Sequence, residues 1–350
     1  MNNPRVNYGA DEFGMICAYR FEPGGAAHAI DAAQAATWLE QHHAASADAD
    51  APDAAGDDAG FAWLHFNLAH ASAERWLVRH AGLTDTFYET LHEGSPSTRI
   101  ERDEQSLIAV INDVHFDFGF ESSDISTLWI SVDRKLVVTA RQSALRSVDK
   151  LRMEIKGGDA IRSTVELLER LLRAQADVLV EIVRGVTRRV DTVEDQILAG
   201  KMDHNRTRMG VLRRLLVRLQ RLLAPEPAAL FRLLQHPPAW MAERDVDDLR
   251  QSTEEFSVAL RDMAALQERI KLVQEEIAAT VNERTSRSLF VLTVVTVLAL
   301  PINILAGLFG MNVGGIPLAQ NDHGFWVILG IVVLFTAIAG WWAFRKKSDS

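Results

Sequence analysis

Two uncharged apolar runs close the chain, one from Ser288 to Phe309 and one from Gly324 to Phe344, and they constrain its fold more than any other feature. At a rise of about 1.5 Å per residue, either run as a helix spans roughly the thickness of a bilayer's hydrocarbon core. A buried helix of a soluble protein seldom needs so long a stretch without charge, so both runs are read as transmembrane helices. Arg284 and Arg287 precede the first run, and Arg345, Lys346 and Lys347 follow the second. The intervening loop, Met311 to His323, contains neither Lys nor Arg. Because positive flanks stay on the cytoplasmic side, both termini are expected in the cytoplasm and the short loop outside.

The bulk composition bounds what remains. The segment Met1 to Gly14 is polar and has no apolar core, so no secretory signal is read and the large N-terminal part is expected in the cytosol. A formal charge of −10 argues against nucleic acid as a partner and suits a protein that attracts cations. The single cysteine, Cys17, cannot form an intramolecular disulfide; within Met15-Ile16-Cys17-Ala18-Tyr19 it reads as a small buried residue of a strand.

Residues 1–160 are expected to form an α+β domain with a mixed sheet. Residues 61–66, 106–111, 127–132 and 135–139 are short, rich in branched or aromatic side chains and bounded by Asp, Gly, Asn or Ser, which predicts strands. The last two flank Asp133-Arg134 and predict a tight hairpin. Residues 33–42 and 71–80 have helical spacing. The segment 44–60, mostly Ala, Asp and Gly, predicts a surface loop; a flexible, Ala-rich stretch does not fix Asp48, Asp50, Asp53, Asp57 and Asp58 as a cation cage, so these are read as solvated.

Residues 161–287 predict a helical hairpin and a long stalk helix. One helix covers 161–198 and a second 206–223, interrupted by Pro225 and Pro227. A third starts near Asp245, meets neither Pro nor Gly before Pro301, and is expected to run unbroken into the first span at 288–309. On it Phe256, Leu260, Met263, Ile270, Val273 and Ile277 form one apolar stripe, for which self-association about an axis is the expected cover.

Two spans cannot enclose a hydrophilic path, so a conducting protein of this design needs several copies around a shared pore. Steps of three and four back from Asn303 reach Leu300, Thr296, Thr293, Leu289, Ser286 and Asn282; forward they reach Gly307 and Gly310. This stripe gathers most of the small and polar side chains of the span. An amide in lipid is costly and faces protein or water, so Asn303 either lines the pore or bonds a neighbouring helix near Pro301. Gly310-Met311-Asn312 then ends the helix in the outer loop 310–323, where Asn312 offers a carbonyl oxygen to a cation or its water shell. Uncharged oxygens suit a divalent ion that must be released again.

With Pro301-Ile302-Asn303-Ile304-Leu305-Ala306-Gly307 before it and the second span at 324–344 after it, Gly310-Met311-Asn312 resembles the signature of the CorA superfamily of divalent-cation transporters. Val313-Gly314-Gly315-Ile316-Pro317, together with the segments around Trp63-Leu64-His65 and Thr127-Leu128-Trp129-Ile130, resembles its ZntB zinc-transport branch. The resemblance covers nearly the whole chain. It implies a funnel-shaped homopentamer in a bacterial inner membrane, with the long helix lining the pore, the second span outside it, a tail at 345–350 in the cytoplasm, and zinc as cargo, with or without coupling to protons. No cofactor other than the transported ion is implied.

Further metal candidates are Asp322 and His323 at the outer mouth, for which a helix cap and an interfacial histidine are the blander reading, and Glu275 and Glu268 as cation-attracting rings or a solvated face. His42-His43 reads as surface. Two other functions stay open: a CorA-type magnesium, cobalt or nickel channel, and a membrane-anchored sensor or enzyme. The soluble part carries no nucleophile elbow, phosphate-binding glycine loop or zinc-hydrolase motif, so no catalytic residue is assigned.

Overall fold

The computed structural model describes residues 9–47, 60–93, 98–103, 105–120, 124–199, 205–311 and 322–348. The chain divides into two compact units, Met1–Val273 and Gln274–Ser350.

The first unit is built on a seven-stranded mixed sheet. Its strands are β1 (Met15–Phe21), β2 (Ala27–Ala29), β3 (Phe61–Asn67), β4 (Arg99–Asp103), β5 (Ser106–Val114), β6 (Ile125–Val132) and β7 (Leu136–Arg141), in the order β2-β1-β3-β7-β6-β5-β4. β3 and β7 pair in parallel, with Trp63 opposite Val137, and the other neighbours pair antiparallel. Because successive side chains point to opposite faces, β3 sends Phe61 and Trp63 to one core and Ala62, Leu64 and Phe66 to the other. All seven of its residues are buried, as expected of a strand covered on both faces.

Helices α1 (Ala32–Ala47), α2 (Ala73–His80) and α3 (Asp85–His92) cover one face through Trp38, Trp76 and Phe87. The opposite core takes Val148 and Leu151 of α4 (Arg146–Lys156) and Leu168 and Leu171 of α5 (Thr164–Leu198). α6 (Asn205–Leu223) brings Leu219 and Leu223 beside Val178 and Leu179 of α5, so the two pack as the expected antiparallel pair. Leu230 and Leu233 of α7 (Pro225–Gln235) complete that core, together with the start of α8 (Glu243–Phe309). The last element is α9 (Gly324–Ser348).

Several local expectations are corrected. As expected, α6 ends at Leu223 ahead of Pro225 and Pro227; what was not expected is that the same prolines open α7, because a first-turn residue needs no N–H and proline's fixed φ already suits a helix. α1 continues to Ala47, so residues 44–47 belong to a helix rather than a loop, and the Asp cluster at 48–58 lies outside the described residues. The β6–β7 hairpin turns through three residues, 133–135, rather than two: Asp133 Oδ1 accepts from the amides of Lys135 (2.7 Å) and Leu136 (2.8 Å) and forms the turn itself. Gly60, just before β3, has φ +67°, and a Cβ there would lie 2.1 Å from the Phe21 carbonyl oxygen, which only glycine avoids.

α8 is 67 residues long and passes through Pro301 without stopping. Phe256, Leu260, Met263, Ile270, Val273 and Ile277 are all buried within the single chain. Ser252 of α8 donates to Glu169 of α5, and Arg269 of α8 pairs with Asp191 (2.6 Å) and Glu194 (2.5 Å) of the same helix. The apolar stripe is therefore covered intramolecularly, and it does not by itself call for a second copy.

Candidate ion pathway

In the second unit the segment of α8 from Ser288 to Phe309 carries no charge, and its apolar side chains are open: Leu289 is 57% exposed, Leu292 62% and Leu300 57%. This exposure disposes of a buried core helix. A continuous apolar helix surface of this length is incompatible with water and is matched by lipid or by further copies of the same helix. The segment is long and apolar enough to cross a membrane, whereas the described apolar part of α9, Gly324–Ile338, is shorter. α9 nevertheless exposes Phe325 (70%) and also Trp326 (67%) and Trp341 (61%), tryptophan being a residue enriched at membrane interfaces.

Asn282, Ser286, Leu289, Thr293, Thr296, Leu300, Asn303, Gly307 and Gly310 follow one another along α8 and its last turn; those that the helix carries are exposed. The helix is unbroken, so the spacing of three and four residues keeps them on one side. Thr293 and Thr296 donate to the carbonyls of Leu289 (2.8 Å) and Leu292 (2.9 Å), so their hydroxyl protons are already used. What these threonines could still offer a cation is oxygen lone pairs. Proline has no N–H to give the carbonyl four residues earlier, so Pro301 leaves the Val297 carbonyl without its helical donor.

At the end of α8 the amide of Gly310 donates to the Ala306 carbonyl at 2.9 Å. A Cβ on Gly310 would lie 3.0 Å from that oxygen, tighter than ordinary contact, so the helix closes most easily on glycine. Met311 follows and is exposed, 52%. Asn312 and Val313-Gly314-Gly315-Ile316-Pro317 lie outside the described residues.

The remaining metal candidates are scattered rather than convergent. Asp322 and His323 are exposed, and the His323 carbonyl accepts from the amides of Trp326 (3.1 Å) and Val327 (3.2 Å), which opens α9 at His323. Glu268 is exposed and bonded to Lys271 at 2.9 Å; Glu275 is exposed. Among the described residues no three His, Cys, Asp or Glu side chains group as a metal site. His42 stacks on Trp38, with ring centroids 3.8 Å apart, and its Nδ1 lies 2.7 Å from the Trp38 carbonyl.

Two polar networks inside the first unit left no trace in the sequence pattern, because their members are far apart along the chain. In one, Trp63 Nε1 donates to Thr139 Oγ1 (2.8 Å), His65 Nδ1 lies 2.7 Å from the same oxygen, and Arg141 Nε donates to His65 Nε2 (2.9 Å). Burial, with Arg141 and Arg152 nearby, holds His65 well below its usual range and keeps it neutral. In the other, Gln175 Nε2 donates to the Asn112 carbonyl (2.7 Å) and to Glu226 (3.1 Å), while Asp113 accepts from the amide and hydroxyl of Ser147. Burial raises Glu226 well above the carboxylate range, so it carries a proton. Burial also pushes the Cys17 thiol to about 11, which fits a structural cysteine.

A family model described as CorA-like Mg2+ transporter protein matches residues 58–346. Similar proteins include the divalent cation transporter CmaX of Pseudomonas aeruginosa, 28% identical over 289 residues, covering 81% of this chain and 86% of that protein. The zinc transport protein ZntB of Pectobacterium atrosepticum is 22% identical over 285 residues, covering 81% and 87%. Among solved structures, full-length CmaX superposes with a TM-score of 0.75 at 26% identity, covering 96% of this chain and 98% of that one. The complete CorA magnesium transporter of Methanocaldococcus jannaschii shares the fold, with a TM-score of 0.72 at 18% identity and coverage of 93% and 96%.

Proposed function

Because the chain belongs to the CorA-like Mg2+ transporter family, a family of membrane-bound divalent-cation transporters and not of enzymes, we propose that it conducts divalent cations through a pore formed by several copies of α8. One observation carries this reading: a single unbroken helix whose exposed apolar segment bears the stripe Thr293, Thr296, Asn303 and Gly307 and closes on Gly310. Two spans per chain leave no room for a path inside one copy, so the pore is a homo-oligomer; a pentamer with α9 as its outer ring is the arrangement we propose. Residues 288–309 and 324–344 are its spans, both termini are cytoplasmic, and the protein sits in the bacterial inner membrane. Gly310, Met311 and Asn312 form the outer mouth, with Asn312 presenting uncharged oxygen to the hydrated ion.

Zinc is the cargo we favour, on the strength of Val313-Gly314-Gly315-Ile316-Pro317 and of relatives named as zinc transport proteins. A second reading has its own support: the family model is described as a Mg2+ transporter, which makes magnesium the competing cargo. Purified protein in vesicles loaded with zinc- or magnesium-sensitive dye separates the two. Zinc influx exceeding magnesium influx at equal gradients is expected; magnesium flux far above zinc flux would assign the protein to the second reading. Imposing a pH gradient in the same vesicles tests proton coupling, which would accelerate zinc entry in one direction of the gradient.

A further inference from the structure

The first unit holds a basic cavity that the ion pathway does not use. Its volume is about 380 Å³, within the range of small-molecule sites, and it opens where the β6–β7 turn meets the first turns of α5 and α8. Arg134, Lys135, Arg162 and Arg244 line it, against one carboxylate, Asp245. In a chain of net charge −10 such a concentration of positive charge needs an explanation.

The local bonding leaves part of this positive charge without a partner. Asp245 is occupied: Ser163 Oγ donates to it at 2.6 Å while accepting from the Glu166 amide at 2.9 Å, which knits the α5 cap to α8. Asp133, beside the two cations of the turn, has one carboxylate oxygen folded back onto the turn's own amides. Arg162 shares Glu166 with Arg170, and Arg244 has only Asp248 at 3.9 Å. Arg134 and Lys135 have no ion pair among the described residues.

We propose that this cavity binds a small polyphosphate anion, of the nucleoside di- or triphosphate class. Several separated cations match a ligand that carries several acceptor oxygens and multiple negative charges; arginine in particular grips phosphate through paired N–H groups. A single phosphate would engage only part of this lining and leave most of the 380 Å³ unfilled. The first turns of a 35-residue and a 67-residue helix add their partial positive charge to a site that the side chains already define. The proposal concerns binding alone and does not depend on which cation is transported.

Titration calorimetry on the full-length protein in detergent, in EDTA to remove divalent ions, tests it with ATP, inorganic triphosphate, inorganic phosphate and adenosine. ATP and triphosphate are expected to bind at one site per chain, with phosphate and adenosine at least about tenfold weaker. The double variant Arg134→Glu/Lys135→Glu, which changes exposed or half-buried turn residues, should lose at least about tenfold in affinity with unchanged circular dichroism. ATP binding more tightly than triphosphate would identify a nucleotide as the ligand, and equal affinities would identify the polyphosphate chain alone. Absence of binding, affinity unchanged in the double variant, or adenosine binding as well as ATP would overturn the proposal.

Discussion

Replacing Asp113 by Asn should change how the stability of the first unit depends on pH. Asp113 is 2% exposed; it accepts from the Val114 amide (2.8 Å) and from the Ser147 amide (3.1 Å) and hydroxyl (2.5 Å). Burial outweighs these bonds and raises the carboxyl from an ordinary 3.8 to about 6. Between those values the folded chain holds a proton that the unfolded chain has released, so stability from this group is complete below pH 3.8 and falls as pH rises through about 6. The gap corresponds to about 3 kcal/mol lost by neutral pH. Asn removes the titration at a pH-independent cost, since its amide N–H faces the same donors. Unfolding of wild type and Asp113→Asn, followed by tryptophan fluorescence from pH 4 to 8, should therefore show the variant gaining on wild type by up to about 3 kcal/mol as pH rises. A difference that stays constant, or that moves against the variant, refutes the assignment.

Three shorter predictions concern other positions. Gly310→Ala places a Cβ 3.0 Å from the Ala306 carbonyl and should lower cation flux several-fold while leaving the unfolding of the first unit unchanged; undiminished flux would show that the helix end tolerates a side chain. Gly60→Ala forces a left-handed backbone and a 2.1 Å approach to Phe21, and should destabilise the first unit by about 3 kcal/mol or more in denaturant unfolding; a loss below about 1 kcal/mol would contradict the fold there. With its thiol near 11, half-buried Cys17 should be about 0.1% thiolate at pH 8 and react with maleimide far more slowly in the folded than in the unfolded protein; equal rates would contradict the raised thiol.

Long, strongly patterned elements were legible in the sequence, and short or context-dependent ones were not. β3, β5, β6 and β7 announced themselves through runs of branched and aromatic residues, and α8 through 67 residues with Pro301 as the only helix breaker before Gly307. β2 and β4 have 3 and 5 residues, and the buried face of α3 rests on Phe87 and Thr90, too little for a period to emerge. The start of α5 did have a signal, Ser163 three residues before Glu166, and the Ser163 side chain does cap the helix. The proline pair marks the end of α6 in the sequence, but composition alone does not show that it also begins α7. The stripe from Phe256 to Ile277 was legible as buried, but what buries it was not: Arg269 meets Asp191 and Glu194 across 75 residues or more of sequence. For the ion pathway, periodicity located the polar side of α8, and only the structure showed that the threonine hydroxyls are spent on the helix itself.

Divalent-cation flux into vesicles, compared between wild type and Asn312→Ala at matched protein incorporation, bears most directly on the proposed pore. Flux that falls close to that of empty vesicles, with the oligomer and the fold of the first unit intact, is the predicted result. Flux equal to wild type would contradict a cation entrance built on Gly310, Met311 and Asn312.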